Sequence, residues 1–231
     1  MKRLALLAAG AAACLAAIAS FGALYIRFYE PSRADYPVRG IDVSHHQKEI
    51  DWRKVAADDV TFAFIKASEG GDHRDTRFAV NSKEAQAAGI KVGAYHFFTF
   101  CRTGSDQAKN FLDALGTDKG SLPAALDLEF GGNCNATPEP SAIRAEIDSF
   151  LAPVERHTGK PVVLYVTPEF WEAYHHILPK RPLWIRSLFR KPHQEEWSVW
   201  QYHNAGSVDG IVGSVDLNVM NDPNALSTAA N

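Results

Sequence analysis

Cysteine is scarce in this chain of 231 residues, with three in all: Cys14, Cys101 and Cys134. None has a metal-type partner at short spacing, so no zinc site is indicated. His-Glu-x-x-His and the nucleophile-elbow pattern Gly-x-Ser-x-Gly are both missing, which sets metal and serine hydrolase chemistry aside. The histidine pairs His45-His46 and His175-His176 do not repair that lack, because adjacent residues of a strand point to opposite faces. A Gly-rich phosphate turn is absent, and with it the main sign of a dinucleotide fold. No cofactor is expected. Nor is there an excess of positive charge: the net charge is -3. A nucleic-acid partner is therefore not expected. After the first thirty residues, repeats, low-complexity tracts and long like-charge runs are lacking too, so there is no sign of a solenoid or a charged tail.

What is present is the composition of an ordinary globular domain, 46% hydrophobic and 22% charged. The N-terminus departs from it. Lys2 and Arg3 precede an uncharged, Ala- and Leu-rich run over residues 4–26, which ends at Arg27. About 20 apolar residues span a membrane, whereas a secretory core needs only about 7 to 15. A retained anchor and a signal peptide cleaved near Ala17-Ile18-Ala19 or Ser20 both stay open. Lipidation of Cys14 is less favoured, because Ala11 stands where a larger aliphatic residue is usual. Either main reading puts the rest of the chain outside the cytoplasm, on the periplasmic or extracellular face. In that oxidising setting a Cys101–Cys134 disulfide is expected, the alternative being two unpaired buried thiols. The expected organisation is an anchor or signal at 1–27, a linker at 28–38, a catalytic domain at 39–222 and a flexible tail at 223–231.

Short apolar runs predict eight strands near 39–44, 61–67, 91–98, 124–130, 161–167, 183–186, 198–202 and 214–219. Amphipathic stretches at 77–88, 105–115 and 140–157 end at Gly89, Gly116 and Gly159, a helix-stop signal. Strand and helix alternate through the first five units, and the helical connections then shorten. The pattern predicts an α/β barrel of the (β/α)₈ type with a degenerate last third. An open doubly wound sheet is the alternative.

In such a barrel the active face lies at the C-terminal strand ends. Acids recur there within apolar strands, where burial without a partner is unfavourable. Asp42 is in the first strand, Asp127 and Glu129 in the fourth, and Asp216 in the eighth. Glu69 beside Gly70-Gly71 reads as a loop residue. Asp127 and Glu129 are two apart and so share a strand face. Their proximity raises one pKa, suiting Glu129 as proton donor while Asp127 stays ionised. Closure of a barrel would bring Asp42 beside Asp216. Tyr95, Tyr165, Trp184, Trp200, Gln201 and Tyr202 are candidate sugar-binding residues, although single aromatics of this kind are often core.

These residues fall in a series of short motifs. They are Gly40-Ile41-Asp42-Val43-Ser44, Ile50-Asp51-Trp52, Phe64-Ile65-Lys66-Ala67-Ser68-Glu69-Gly70, Gly93-Ala94-Tyr95-His96-Phe97, Leu126-Asp127-Leu128-Glu129, Leu183-Trp184-Ile185, Trp200-Gln201-Tyr202 and Val215-Asp216-Leu217-Asn218. In this order the motifs resemble the glycoside hydrolase family 25 lysozymes, the Chalaropsis-type N-acetylmuramidases. The resemblance covers about residues 39–222. It implies a flattened, degenerate TIM-like (β/α)₅(β)₃ barrel that hydrolyses the β-1,4 bond from N-acetylmuramic acid to N-acetylglucosamine. It implies Glu129 as general acid with Asp127 assisting, and Asp42 and Asp216 completing an acidic floor. One departure is Arg186-Ser187-Leu188, where the family often has a small residue and then an aromatic. The expected partner is peptidoglycan, with a membrane engaged through residues 4–26. The alternative is a membrane-anchored module that binds peptidoglycan without turning it over.

Overall fold

The computed structural model describes residues 17, 18, 20–22, 24–131, 134, 136–194 and 196–226. It comprises two compact units, Met1–Pro31 and Ser32–Asn231. Residues 24–28 of the first are helical. Most of the expected membrane segment, residues 4–26, lies outside the described residues. Among the described residues no helix is long and apolar enough to cross a membrane.

The second unit is a closed barrel. Its strands are β1 (Arg39–Val43), β2 (Phe62–Glu69), β4 (Lys91–Phe97), β5 (Ala125–Leu128), β6 (Val163–Val166), β7 (Leu183–Arg186), β8 (Val199–Gly206) and β9 (Val215–Met220). A two-residue strand, β3 (His73–Arg74), hangs on β2. Pairing is parallel from β1 through β2, β4, β5, β6 and β7 to β8. β9 runs antiparallel to both neighbours and closes the ring between β8 and β1. Helices α2 (Phe78–Ala87), α3 (Gly104–Leu115) and α4 (Pro140–Thr158) fill the crossovers where the sequence predicts them. Two further short helices, α1 (Trp52–Ala57) and α5 (Pro168–Tyr174), are capped by Asp51 and Thr167, whose side chains accept backbone N–H bonds.

The barrel interior is filled by residues at period two. Phe62, Phe64, Ala125, Val163, Val199 and Met220 pack with Tyr165 and Trp184 in one buried cluster. Phe64 and Trp184 stack at 4.6 Å. Gly40 and Gly93 make room for these rings: a Cβ at either would lie 2.5 Å from the Phe62 or Phe64 ring. The same rows continue toward the C-terminal strand ends with polar residues. Phe64 is followed at the next inward position by Lys66, Ala125 by Asp127, Trp184 by Arg186 and Val199 by Gln201. An apolar floor therefore gives way to a charged mouth.

The expected linker and tail are more ordered than their composition predicts. Tyr36 packs against Trp197 and Trp200, each at 5.8 Å between centroids. Leu226 is buried in the core cluster, so the chain packs against the core at the fourth residue of the expected 223–231 tail. Residues 227–231 lie outside the described residues.

Candidate active site

The inward rows end in a cavity of about 290 Å³ lined by acids from three strands, Asp42, Asp127, Glu129 and Asp216, and walled by Lys66, Tyr95, Phe97, Tyr165, Trp184 and Gln201. Ser44, His46 and Gln47, from the turn after β1, line one side.

Asp42 and Asp216 lie directly opposite each other on β1 and β9, as barrel closure requires. Asp42 Oδ2 accepts from Asn218 Nδ2 at 2.7 Å and Gln201 Nε2 at 3.0 Å. Those amides are themselves held. Trp184 Nε1 donates to Asn218 Oδ1 at 2.8 Å, and the Tyr165 hydroxyl donates to Gln201 Oε1 at 2.9 Å. Burial, the charge of Asp42 and a hydrogen bond to it push Asp216 up to about 9. The pair thus holds one proton between two oxygens, with the amides favouring charge on Asp42.

Asp127 and Glu129 are arranged differently. β5 ends at Leu128, two residues short of the predicted strand end, so Glu129 stands at the mouth beyond the ladder. The next residue, Phe130, packs against Phe100, Phe170 and Tyr174, each at 5.9 Å. Cys101 and Cys134 form the expected disulfide, with Cα atoms 5.8 Å apart, tying the loop after β4 to the loop after β5. Asp127 Oδ1 is buried and has no hydrogen-bond partner among the described residues. Burial, then the Glu129 charge, pushes the Asp127 carboxyl well above the usual range. Glu129 is raised by burial too, but the Arg186 guanidinium pulls against the rise, with Nη1 3.6 Å from Glu129 Oε2. The expectation was that Asp127 stays ionised while Glu129 takes the raised pKa; burial raises both carboxyls.

Tyr95, Tyr165, Trp184 and Gln201 line the cavity, whereas Trp200 and Tyr202 do not. Strand alternation explains this: Gln201 faces inward, so its neighbours face out. Trp200 Nε1 donates to Ser187 O, and the Tyr202 hydroxyl accepts from Arg39 Nη2. Glu69 is no loose loop residue. It ends β2 and pairs with Lys66 Nζ at 2.7 Å. His45 and His46 occupy a short 3-10 turn rather than a strand, with ring centroids 4.1 Å apart. His45 pairs with Asp75, while His46 reaches the cavity. Lys66 and Asn218 were missed as site residues, and Arg186 was noted only as a departure from the family pattern. Period-two extension from Phe64 and Trp184 points Lys66 and Arg186 inward.

A barrel mouth with paired carboxyls, held amides and aromatic walls is the apparatus of a glycoside hydrolase, which needs a proton donor and a second polar group but no metal. The pattern of Glycosyl hydrolases family 25 matches residues 41–211, and the chain belongs to that family. Lysozyme M1 of Streptomyces globisporus is 36% identical over 200 residues, covering 80% of this chain and 68% of that protein. An uncharacterised protein of Escherichia coli K12, YegX, is 37% identical over 200 residues, 81% of this chain and 71% of its own length. The solved family 25 glycosyl hydrolase from Bacillus anthracis superposes with a TM-score of 0.77 at 35% identity, over 83% of this chain and 92% of that one.

Proposed function

We propose that this enzyme cleaves peptidoglycan at the β-1,4 bond between N-acetylmuramic acid and N-acetylglucosamine, with Glu129 as general acid and Asp127 assisting. The observation that carries this reading is the buried, unpartnered Asp127 Oδ1 beside the carboxyl of Glu129 in a sugar-sized cleft. An acetamido N–H from the substrate supplies the missing donor. Donation to Asp127 stabilises its ionised form, so the proton shared by the coupled pair settles on Glu129. Glu129 then delivers it to the glycosidic oxygen as the C1–O bond breaks and its electron pair stays with that oxygen. The acetamido carbonyl oxygen attacks C1, and Asp127 stabilises the positive charge that develops on the cyclised acetamido group. Water, deprotonated by Glu129, opens this intermediate with overall retention. Asp42 and Asp216 supply negative potential under the ring, and Tyr95 and Trp184 form its apolar wall.

Action on the wall fits export, with the chain tethered through residues 4–26. Fractionation of cells producing the full chain tests that placement, and recovery in the cytoplasm would overturn it. The activity is tested by digesting purified peptidoglycan with the full chain and with Glu129→Gln, then identifying the new reducing ends by mass spectrometry. Muramic acid ends released only by the wild type are expected. Wall binding without any release would leave the non-catalytic reading. N-acetylglucosamine ends would place the cut at the other bond, and a sugar trapped covalently on Asp127 would replace substrate assistance with an enzyme nucleophile.

A further inference from the structure

Arg186 belongs to none of the roles above, and its position is unusual. It ends β7, two residues beyond Trp184, and its side chain is 29% exposed. One guanidinium nitrogen, Nη1, lies 3.6 Å from Glu129 Oε2, and the other, Nη2, donates to Glu169 Oε2 at 3.1 Å. Glu169 stands in the first turn of α5 with 64% of its side chain exposed. The guanidinium therefore bridges two carboxylates, the exposed one of Glu169 and the one of Glu129 that lines the cavity.

We propose that Arg186, held in place by Glu169, is a positioning residue that sets the upper pH limit of turnover by keeping a fixed positive charge against the proton donor. The proposal rests on the reading of Glu129 as general acid. Every other element around Glu129 adds its own charge or dipole: Asp127 on β5, Asp42 on β1, Lys66 on β2, Tyr165 on β6, Asp216 on β9 and Glu169 on α5. Acids outnumber cations in that set, so without Arg186 the donor would hold its proton to higher pH. A general acid works only while protonated, and activity falls as pH rises through its pKa. The guanidinium lowers that pKa, favouring proton release to the leaving oxygen and restricting the enzyme to more acidic conditions.

The test is the pH dependence of kcat and kcat/KM on soluble, uncross-linked glycan strands, for wild type, Arg186→Met, Arg186→Lys and Glu169→Gln. Arg186→Met should move the alkaline limb up by about one pH unit. Glu169→Gln should move it the opposite way by a few tenths, because an anion near Glu129 is lost while the Gln amide oxygen still accepts from Arg186 Nη2 and keeps the guanidinium in place. Arg186→Lys, which keeps the charge, should stay close to wild type. Opposite shifts from two partners of one ion pair are not produced by general loosening of the rim. An unmoved limb in Arg186→Met, or shifts of the same sign in both charge-removing variants, would overturn the proposal. So would a change confined to KM, which would make Arg186 a substrate contact instead. Matched thermal unfolding midpoints check that each variant folds, and Glu169→Gln alters only an exposed side chain. Glu129→Gln is assayed alongside: if it keeps wild-type turnover, the general-acid reading fails, whatever the limbs do.

Discussion

The cleft contains two pairs of acids, and their surroundings are opposite. Asp42 and Asp216 sit within paired strands, and Asp42 accepts from two amides that are fixed in turn by Trp184 and Tyr165. Asp127 and Glu129 stand where β5 gives out, with one buried oxygen unpartnered among the described residues and cations from Lys66 and Arg186 nearby. A satisfied pair is a fixed electrostatic floor, since its bonds are made within the protein itself. An unsatisfied pair is a poised one, since its electrostatics favour an incoming donor. Counting carboxylates cannot separate the two cases; following their hydrogen bonds can.

The contrast can be broken most severely at the poised pair. Glu129→Gln should lower kcat by about 10³-fold, within the range for a lost general acid, in a muropeptide-release assay. Asp127→Asn should cost about 10²-fold with little change in KM, and steady-state rates on soluble strands would show it. Because the mouth beyond β5 depends on bracing, reduction of Cys101–Cys134 should destabilise the fold by about 3 to 4 kcal/mol, from a sequence separation of 33. Urea denaturation with and without reductant measures that loss. At the floor pair the effect is smaller and differs in kind. Asp216 keeps a proton up to about pH 9 in the folded protein, against an ordinary value of 3.8. The unfolded chain releases that proton first, so this group makes stability fall as pH rises between those values. Asp216→Asn should flatten that fall, read as urea midpoints across the same range. Smallest of all, Trp200→Phe should leave turnover unchanged and lower stability by about 1 kcal/mol, the worth of one indole hydrogen bond, because Trp200 faces away from the sugar.

The barrel was legible because buried strands write themselves as apolar runs, and glycines at 89, 116 and 159 mark where helices stop. The meeting of Asp42 and Asp216 was legible once closure was read from the eight strands, since a closed barrel makes the first and last strands neighbours. Shorter elements were not. The two residues of β3 and the single-turn segments carry too few residues to show a period. At Trp200-Gln201-Tyr202 the error was to treat a motif as a unit, although three consecutive strand residues cannot share a face. Lys66 was missed, and Arg186 noted only as a departure, for a related reason. Their charge reads as surface, and only the inward aromatic two residues earlier shows where each side chain goes.

The last strand has a consequence for how this enzyme comes into being. Asn218 reaches Asp42 across 176 residues of sequence, and Gln201 reaches it across 159. Everything from Asp42 to Asn218 must therefore be made, and β9 inserted, before the floor of the cleft exists. Contacts this distant form late, because the long loop must close before they repay it. A chain that stops before β9 carries Asp127 and Glu129 yet lacks Asp216, Asn218 and the strand that seals the ring. The floor of the cleft is thus the product of one late strand pairing, that of β9 with β1 and β8.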